Sequence, residues 1–414
     1  MKKSTKLLSL AMAGCMAFSL AGCGSSTSSG SASASTETSS QAAEAGSDTI
    51  TLGVIGPMTG SVAVYGTHIS KGVELAVEEI NAAGGLDVGG TTYSIVTETK
   101  DDQCDPTECL NAMNSLIADG VQIVVGSATS GCTSAITSVA NSEHVVMITP
   151  SGTSDSLTTT MDYVFRSCFA DSFQGKLAAK YCLDNGYTSV GIVYCSADTY
   201  SSGLRDAFTA AAEEFGLTIV AEESVATMTE VDYTNQFTKM VSAGAQAVLT
   251  PFYYDVMGPY VVNQARQVGY TGVILGCDGV DNTEGYIPEG ADLSAFNDVY
   301  FTNLYAPELS TSEVSDSFLA AYEAKYGEEP NNFDAMAYDA VYILAQAMTE
   351  CGSTAADDIQ AYMADTSVTY DRVGGNYCFD ETGTPIKDGV LMGYSYSDGD
   401  AAVTKSAYQV LSLG

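Results

Sequence analysis

Residues 124–135, VVGSATSGCTSA, end an apolar run in small hydroxylated residues and two glycines. Read from Gly126, the spacing matches a phosphate-binding loop, G-x-x-x-x-G-K-[ST], except that Cys132 stands where the lysine belongs. Without that charge nothing meets the terminal phosphates of a nucleotide. Ser130 beside Gly131 suggests a nucleophile, yet a G-x-S-x-G elbow needs glycine two residues earlier, and Ala128 is there. The two histidines, His68 and His144, are far apart in sequence, and there is no C-x-x-C. Neither a His-based triad nor a structural zinc is expected, so no catalytic residue, metal or cofactor is assigned. What survives is a glycine-lined helix start with free N–H groups and the Ser130 hydroxyl, which suits a single carboxylate.

The segment TPSGTS, 149–154, repeats this chemistry after the next apolar run, with Ser151 and Thr153 supplying hydroxyls and carbonyls. In the second half of the chain, GCDGVDN places Asp278 just after an apolar run, although Asp before Gly279 also fits an ordinary turn. A carboxylate facing carboxylate-binding hydroxyls is what a zwitterionic amino acid requires, one wall for each charge. The remaining loops, such as GPMTGSVAVYG, CSADTYSSG and PFYYD, are rich in Ser, Thr, Gly and Tyr and almost free of His, Lys and Arg. They offer hydrogen bonds and aromatic walls but few groups suited to proton transfer at neutral pH, so an enzyme is not expected.

These loops need elements to hold them. From Thr49, β-rich runs alternate with helical ones: TITLGVIG, then a helix with Ile69, Val73, Ala76, Val77 and Ile80 on one face, stopped by Gly84-Gly85. YSIVTETK follows, then a helix opened by Asp105 as N-cap, Pro106 at the first position and Glu108 in a capping-box-like pattern. VQIVVG, TSAITSVANSE and VVMITP add strand, helix and strand, and the alternation starts afresh after about Ala170. Strands joined by helices of this length imply parallel sheets covered on both faces, and ligands bind outside the carboxyl ends of such strands. The length exceeds one comfortable core, so two α/β lobes are expected. Late helices (TSEVSDSFLAAYEAKYG, NFDAMAYDAVYILAQAM) and closing extended pieces must complete them. The expected lobes are 49–170 plus 304–371 and 171–303 plus 372–414, with several hinge crossings.

The N-terminus reads as a secretory signal peptide over 1–22, with a basic start, a short apolar run and LAGC at Leu20–Cys23. Residues 23–48 are Ser/Ala/Gly-rich, a tether rather than a core. The formal net charge of −36 excludes nucleic acid as a partner, and removing the leader, with three lysines and no acid, makes it more negative. Setting Cys15 and Cys23 aside leaves an odd number of the eleven cysteines without regular spacing, which is not a disulfide framework. Cys104, Cys109 and Cys132 are plausible local partners, and their pairing stays open.

Taken in order, ITLGVIGPMTGSVAVYG, GVELAVEEINAAGG, DDQCDP, MITPSGTS, YSSGL and MGPYVVNQARQVG resemble the branched-chain amino-acid-binding proteins, the type I substrate-binding proteins of ABC importers. LAGC resembles the lipobox, whose cysteine carries a diacylglycerol. The resemblance implies two Rossmann-like lobes joined by a multi-crossing hinge, in a monomer held on the outer membrane face by a lipid on Cys23. It further implies capture of an amino acid by hinge closure and delivery to an ABC permease. By position, Ser130 matches the residue holding the ligand carboxylate, Ser151 a carbonyl for the ammonium, and Thr153 a hydroxyl and amide contact. Tyr200 and Tyr253 match tyrosines that close over the ligand, while Tyr65 and Phe333 match aromatics of the side-chain pocket. Asp278 matches an acidic residue pairing with the ammonium, where the best-known members carry Glu. A family cysteine falls at Thr129, so its disulfide with the Cys104 position does not transfer, and Cys132 is the candidate substitute. The same fold with an aromatic acid or small amide as cargo is the alternative, or a ligand-sensing ectodomain.

Overall fold

Apolar runs of β-branched residues alternating with amphipathic helices build two separate sheets. The computed structural model describes residues 48–309 and 312–413, so the leader, Cys23 and nearly all of the tether lie outside the described residues. The first sheet contains β1 (Asp48–Gly56), β2 (Leu86–Val88), β3 (Thr91–Asp101), β4 (Ile123–Val125), β5 (Val146–Thr149) and β6 (Val164–Arg166), in the order β2-β3-β1-β4-β5-β6. The second contains β7 (Ser189–Cys195), β8 (Thr218–Val225), β9 (Ala247–Leu249), β10 (Val273–Gly276) and β11 (Val299–Asn303). A hairpin of β12 (Tyr370–Arg372) and β13 (Gly375–Tyr377) precedes β14 (Gly389–Ser395) and β15 (Thr404–Leu411), which complete the second sheet as β15-β14-β11-β10-β9-β7-β8.

Both sheets have parallel centres, as helical connections require, but neither is wholly parallel. β2 returns antiparallel onto β3 through the Gly89-Gly90 turn, and β14 and β15 add antiparallel to the far edge. The expectation of parallel sheets is therefore corrected to mixed ones. Short connections permit antiparallel neighbours at an edge, whereas the buried centre needs crossover helices.

Helix ends follow local chemistry. Asp105 caps Pro106–Ala118 by accepting from Thr107 N–H (2.7 Å) and Glu108 N–H (3.1 Å). Glu108 does not close the box; its carboxylate accepts from Asn111 Nδ2 (3.5 Å). A complete capping box forms instead at Asn331 and Asp334, opening the buried helix Asn332–Cys351. That helix packs on Ala63–Ala82 so closely that a Cβ on Gly72 would lie 2.2 Å from the Asp334 carbonyl oxygen. The segment around MGPYVVNQARQVG is not one regular helix: Met257–Val261 forms a π turn between Tyr254–Val256 and Val262–Gln267. Pro259 lacks an N–H and its ring crowds the carbonyl four residues earlier, which favours the wider turn here. No described helix is long and apolar enough to cross a membrane.

Candidate functional site

The loops after β4 and β5 form one wall. β4 is followed by Gly126, whose φ of +141° only glycine adopts easily; a Cβ there would lie 2.2 Å from the Ile55 carbonyl oxygen. This close approach turns Ser127–Thr129 over the sheet edge and starts the helix Ser130–Ser142, with Thr129 as N-cap. Thr149 and Thr133 hydroxyls both donate to Ser127 O (2.7 and 3.2 Å), and the Ser151 hydroxyl donates to Ala128 O (2.9 Å). Ser154 N–H donates to Ser130 Oγ (3.2 Å). The two small-residue loops therefore hold each other, which explains why both carry Ser and Thr.

Behind them lies a residue that sequence reasoning missed. The buried Arg166 guanidinium donates to Thr153 O (2.7 Å), Ser154 O (2.9 Å) and Thr158 Oγ1 (3.0 Å). Its only signal was an arginine inside the apolar run YVFRS.

The opposite wall comes from the second sheet. Asp278 follows β10 and is 2% exposed. Its Oδ1 accepts from Gln174 Nε2 (2.8 Å) and Tyr200 OH (3.1 Å), while Gly279 N–H donates to Tyr200 OH (3.0 Å). Gln174 Oε1 in turn accepts from Asp278 N–H (3.2 Å) and Thr302 Oγ1 (2.9 Å). Gln174 was also missed, because a polar residue on a helix reads as solvent-facing until a partner is known. Tyr253 stacks on Tyr200 at 5.4 Å and donates to Asp198 Oδ2 (3.2 Å), the N-cap of Thr199–Phe215.

Aromatic contacts close the gap between the walls. Tyr65 donates its hydroxyl to Gly279 O and packs on Phe333 (4.5 Å) and edge-on to Tyr253 (5.7 Å). Tyr254 OH donates to Ser61 O (3.1 Å) and accepts from Val64 N–H (3.3 Å). Tyr65, Ser130, Ser151, Tyr200, Tyr253, Asp278 and Phe333 line one void of about 10 Å³, together with Ala128, Thr129 and Gly279. That volume is roughly one water. Thr153 does not line it; its backbone carbonyl is held from behind by Arg166 and by Asp171 N–H (2.8 Å). A larger void of about 700 Å³, between segments 304–309, 373–376 and 386–390, contains none of the predicted site residues.

Electrostatically the walls are unlike. The first offers the N-terminus of Ser130–Ser142, which favours an anion. The second offers a carboxyl. Burial pushes Asp278 up to about 6, against the hydrogen bonds from Gln174 and Tyr200 that favour its ionised form.

Residues 49–400 match the family model of periplasmic binding proteins. The Leu/Ile/Val-binding protein homolog 3 of Brucella melitensis biotype 1 is 33% identical over 313 residues, 75% of this chain and 82% of the relative. The leucine-, isoleucine-, valine-, threonine-, and alanine-binding protein of Pseudomonas aeruginosa is 29% identical over 92% of this chain and 94% of its own length. The branched-chain amino acid transporter substrate binding protein LivJ of Streptococcus pneumoniae, solved in complex with isoleucine, has a TM-score of 0.76 and 33% identity, covering 87% of this chain and 99% of LivJ. The chain belongs to the branched-chain amino-acid-binding, type I periplasmic binding protein family. Proteins of this class are extracytoplasmic, non-enzymatic substrate-binding components of ABC transporters.

An acid with a raised folded pKa holds its proton more tightly folded than unfolded, so its contribution to stability is present in acid and lost as pH rises. For Asp278 the window runs from 3.8 to about 6. Asp255 and Asp339, also pushed up to about 6 by burial, act in the same window. The melting temperature without added ligand should therefore carry a component that falls across this range, and Asp278→Asn should remove part of it. A slope unchanged in the variant would mean that Asp278 is solvated.

Proposed function

We propose that this chain captures an amino acid with an apolar side chain between two lobes and delivers it to an ABC permease. The observation that carries the reading is Asp278 lying across one void from Ser130 and Ser151, with Tyr65, Tyr200, Tyr253 and Phe333 around it. The helix start and Ser130 hold the α-carboxylate, Asp278 pairs with the α-ammonium, and the aromatic rings enclose the side chain. Thr153 contributes its amide and hydroxyl once the loop adjusts. The amino acids for which the relatives are named, leucine, isoleucine and valine among them, support the cargo class.

Binding and release require movement. A void of about 10 Å³ cannot hold a branched side chain, so Tyr65 and Tyr253 must separate for entry. The lobes expected from sequence, 49–170 plus 304–371 and 171–303 plus 372–414, need one adjustment, at the last crossing. The bond from Arg166 N–H to Gly383 O (3.1 Å) ties part of the late segment to the first sheet, which supports a last crossing close to Lys387. The ligand binds the open form on the first lobe, and closure adds Tyr200, Tyr253 and Asp278. Contacts made only in the closed form supply the differential affinity that shifts the population. A diacylglycerol on Cys23 and the tether keep this monomer at the membrane.

A thermal-shift screen with the common amino acids and several aromatic acids tests the cargo, since a ligand of the native state raises the melting temperature by mass action. A branched-chain amino acid should give the largest rise; a shift by an aromatic acid alone would overturn the assignment. Asp278→Asn should weaken amino-acid binding by about 10- to 100-fold, the worth of a charge-assisted bond, while scarcely affecting a deaminated analogue. Equal losses would reduce Asp278 to a turn residue. Cys23→Ser should move the protein from the membrane fraction to the soluble one, and retention would count against the lipid.

A further inference from the structure

Behind the wall of Ser130, two thiols and a carboxyl converge beside a third thiol, although their sequence spacing matches no metal motif. Donor atoms of the buried Asp102, Cys109 and Cys132 all lie within 4.8 Å of one another. Cys132 is also in side-chain contact with Cys104, whose sulfur lies 3.8 Å from Thr129 Oγ1. We infer that Asp102, Cys109 and Cys132 form a binding site for a single soft divalent metal ion of the zinc–cadmium class, with Cys104 as an outer contact on Cys132.

The argument begins with the donor set. Two sulfurs and one oxygen supply three corners of a tetrahedral shell with the fourth left open, and sulfur discriminates against magnesium and calcium. The scaffold is firm. Asp102 and Cys104 sit in the turn after β3, where Gln103 and Cys104 both adopt left-handed backbone (φ 51° and 57°). Cys109 lies in the first turns of Pro106–Ala118 and Cys132 in the first turn of Ser130–Ser142. The Asp102 carboxyl is oriented by Cys104 N–H (2.9 Å) and by the Ser127 hydroxyl. Such outer contacts fix the donors of metal sites.

Charge balance is consistent with this role. The Cys104 contact lowers the Cys132 thiol, but the Cys109 contact and burial outweigh it and push the thiol up, and a bound dication displaces the proton of each coordinating thiol to solvent as the sulfur–metal bond forms. A disulfide describes the cluster less well. Cys132 reaches both Cys104 and Cys109, so one bridge would strand the third thiol beside a buried carboxyl. Occupancy would tie the β3 turn to the helix start that carries Thr129 and Ser130, bracing the carboxylate-binding wall from outside the void.

The test uses the reduced, chelator-treated chain titrated with cadmium, followed by the thiolate-to-cadmium charge-transfer band, and with zinc against a chromogenic chelator. The expected result is a saturable band ending at a single equivalent, with zinc displacing cadmium. Cys132→Ser should abolish it, while Cys351→Ser, altered at the end of Asn332–Cys351, should bind as the parent does. If Cys132→Ser does not fold, Cys104→Ser serves, because that residue is half-buried; it should bind cadmium at least about tenfold more weakly. No band in the parent chain, equal binding by Cys132→Ser and Cys351→Ser, or unchanged affinity in Cys104→Ser would overturn the proposal. So would mass spectrometry of the protein as isolated showing a disulfide among Cys104, Cys109 and Cys132.

Discussion

A carboxyl carried to 2% exposure at Asp278 is the constraint around which the rest of this structure is organised. An unpaired buried carboxylate is costly, and each neighbour reduces that cost in part. Gln174 and Tyr200 donate to it, Thr302 holds Gln174, and Tyr200 is held in turn by Gly279 N–H. These bonds orient the carboxyl without neutralising it. A cationic group is the partner such an arrangement lacks, and a zwitterion brings one together with the anion that suits the opposite wall.

The opposite wall solves the complementary problem with almost no charge. Ser, Thr and Gly in two successive loops tie together through Ser127, Ala128 and Ser130, and Arg166 secures the second loop from behind. In the proposed binding mode, backbone N–H groups and hydroxyls at this helix start take the place of a nucleotide site's lysine, for a smaller anion. The resemblance of VVGSATSGCTSA to a phosphate loop reflects this shared geometry.

Much of this was legible from residue order. Asp105, Pro106 and the Gly84-Gly85 stop mark helix limits through strictly local chemistry, and the apolar runs mark the central strands because those are buried on both faces. The edges were not legible. β2 is three residues long, and β15, TKSAYQVL, alternates exposed and half-buried positions at a sheet margin, so neither stands out from a loop. Within the site, residues at strand ends could be chosen because ligands gather there, and seven of the eight ligand residues named from sequence do line one void. Arg166 and Gln174 act through partners distant in the chain, so only the fold reveals them. The meeting of Asp102, Cys109 and Cys132 is likewise tertiary.

The account rests on opposite walls binding opposite ends of one amino acid. A crystal structure grown with the branched-chain amino acid that binds most tightly tests this directly. The account predicts the α-carboxylate at the Ser130 hydroxyl and the helix start, the α-ammonium on Asp278, and the side chain among Tyr65, Tyr253 and Phe333. A ligand bound outside this void, or one whose carboxylate faces Asp278, would contradict it.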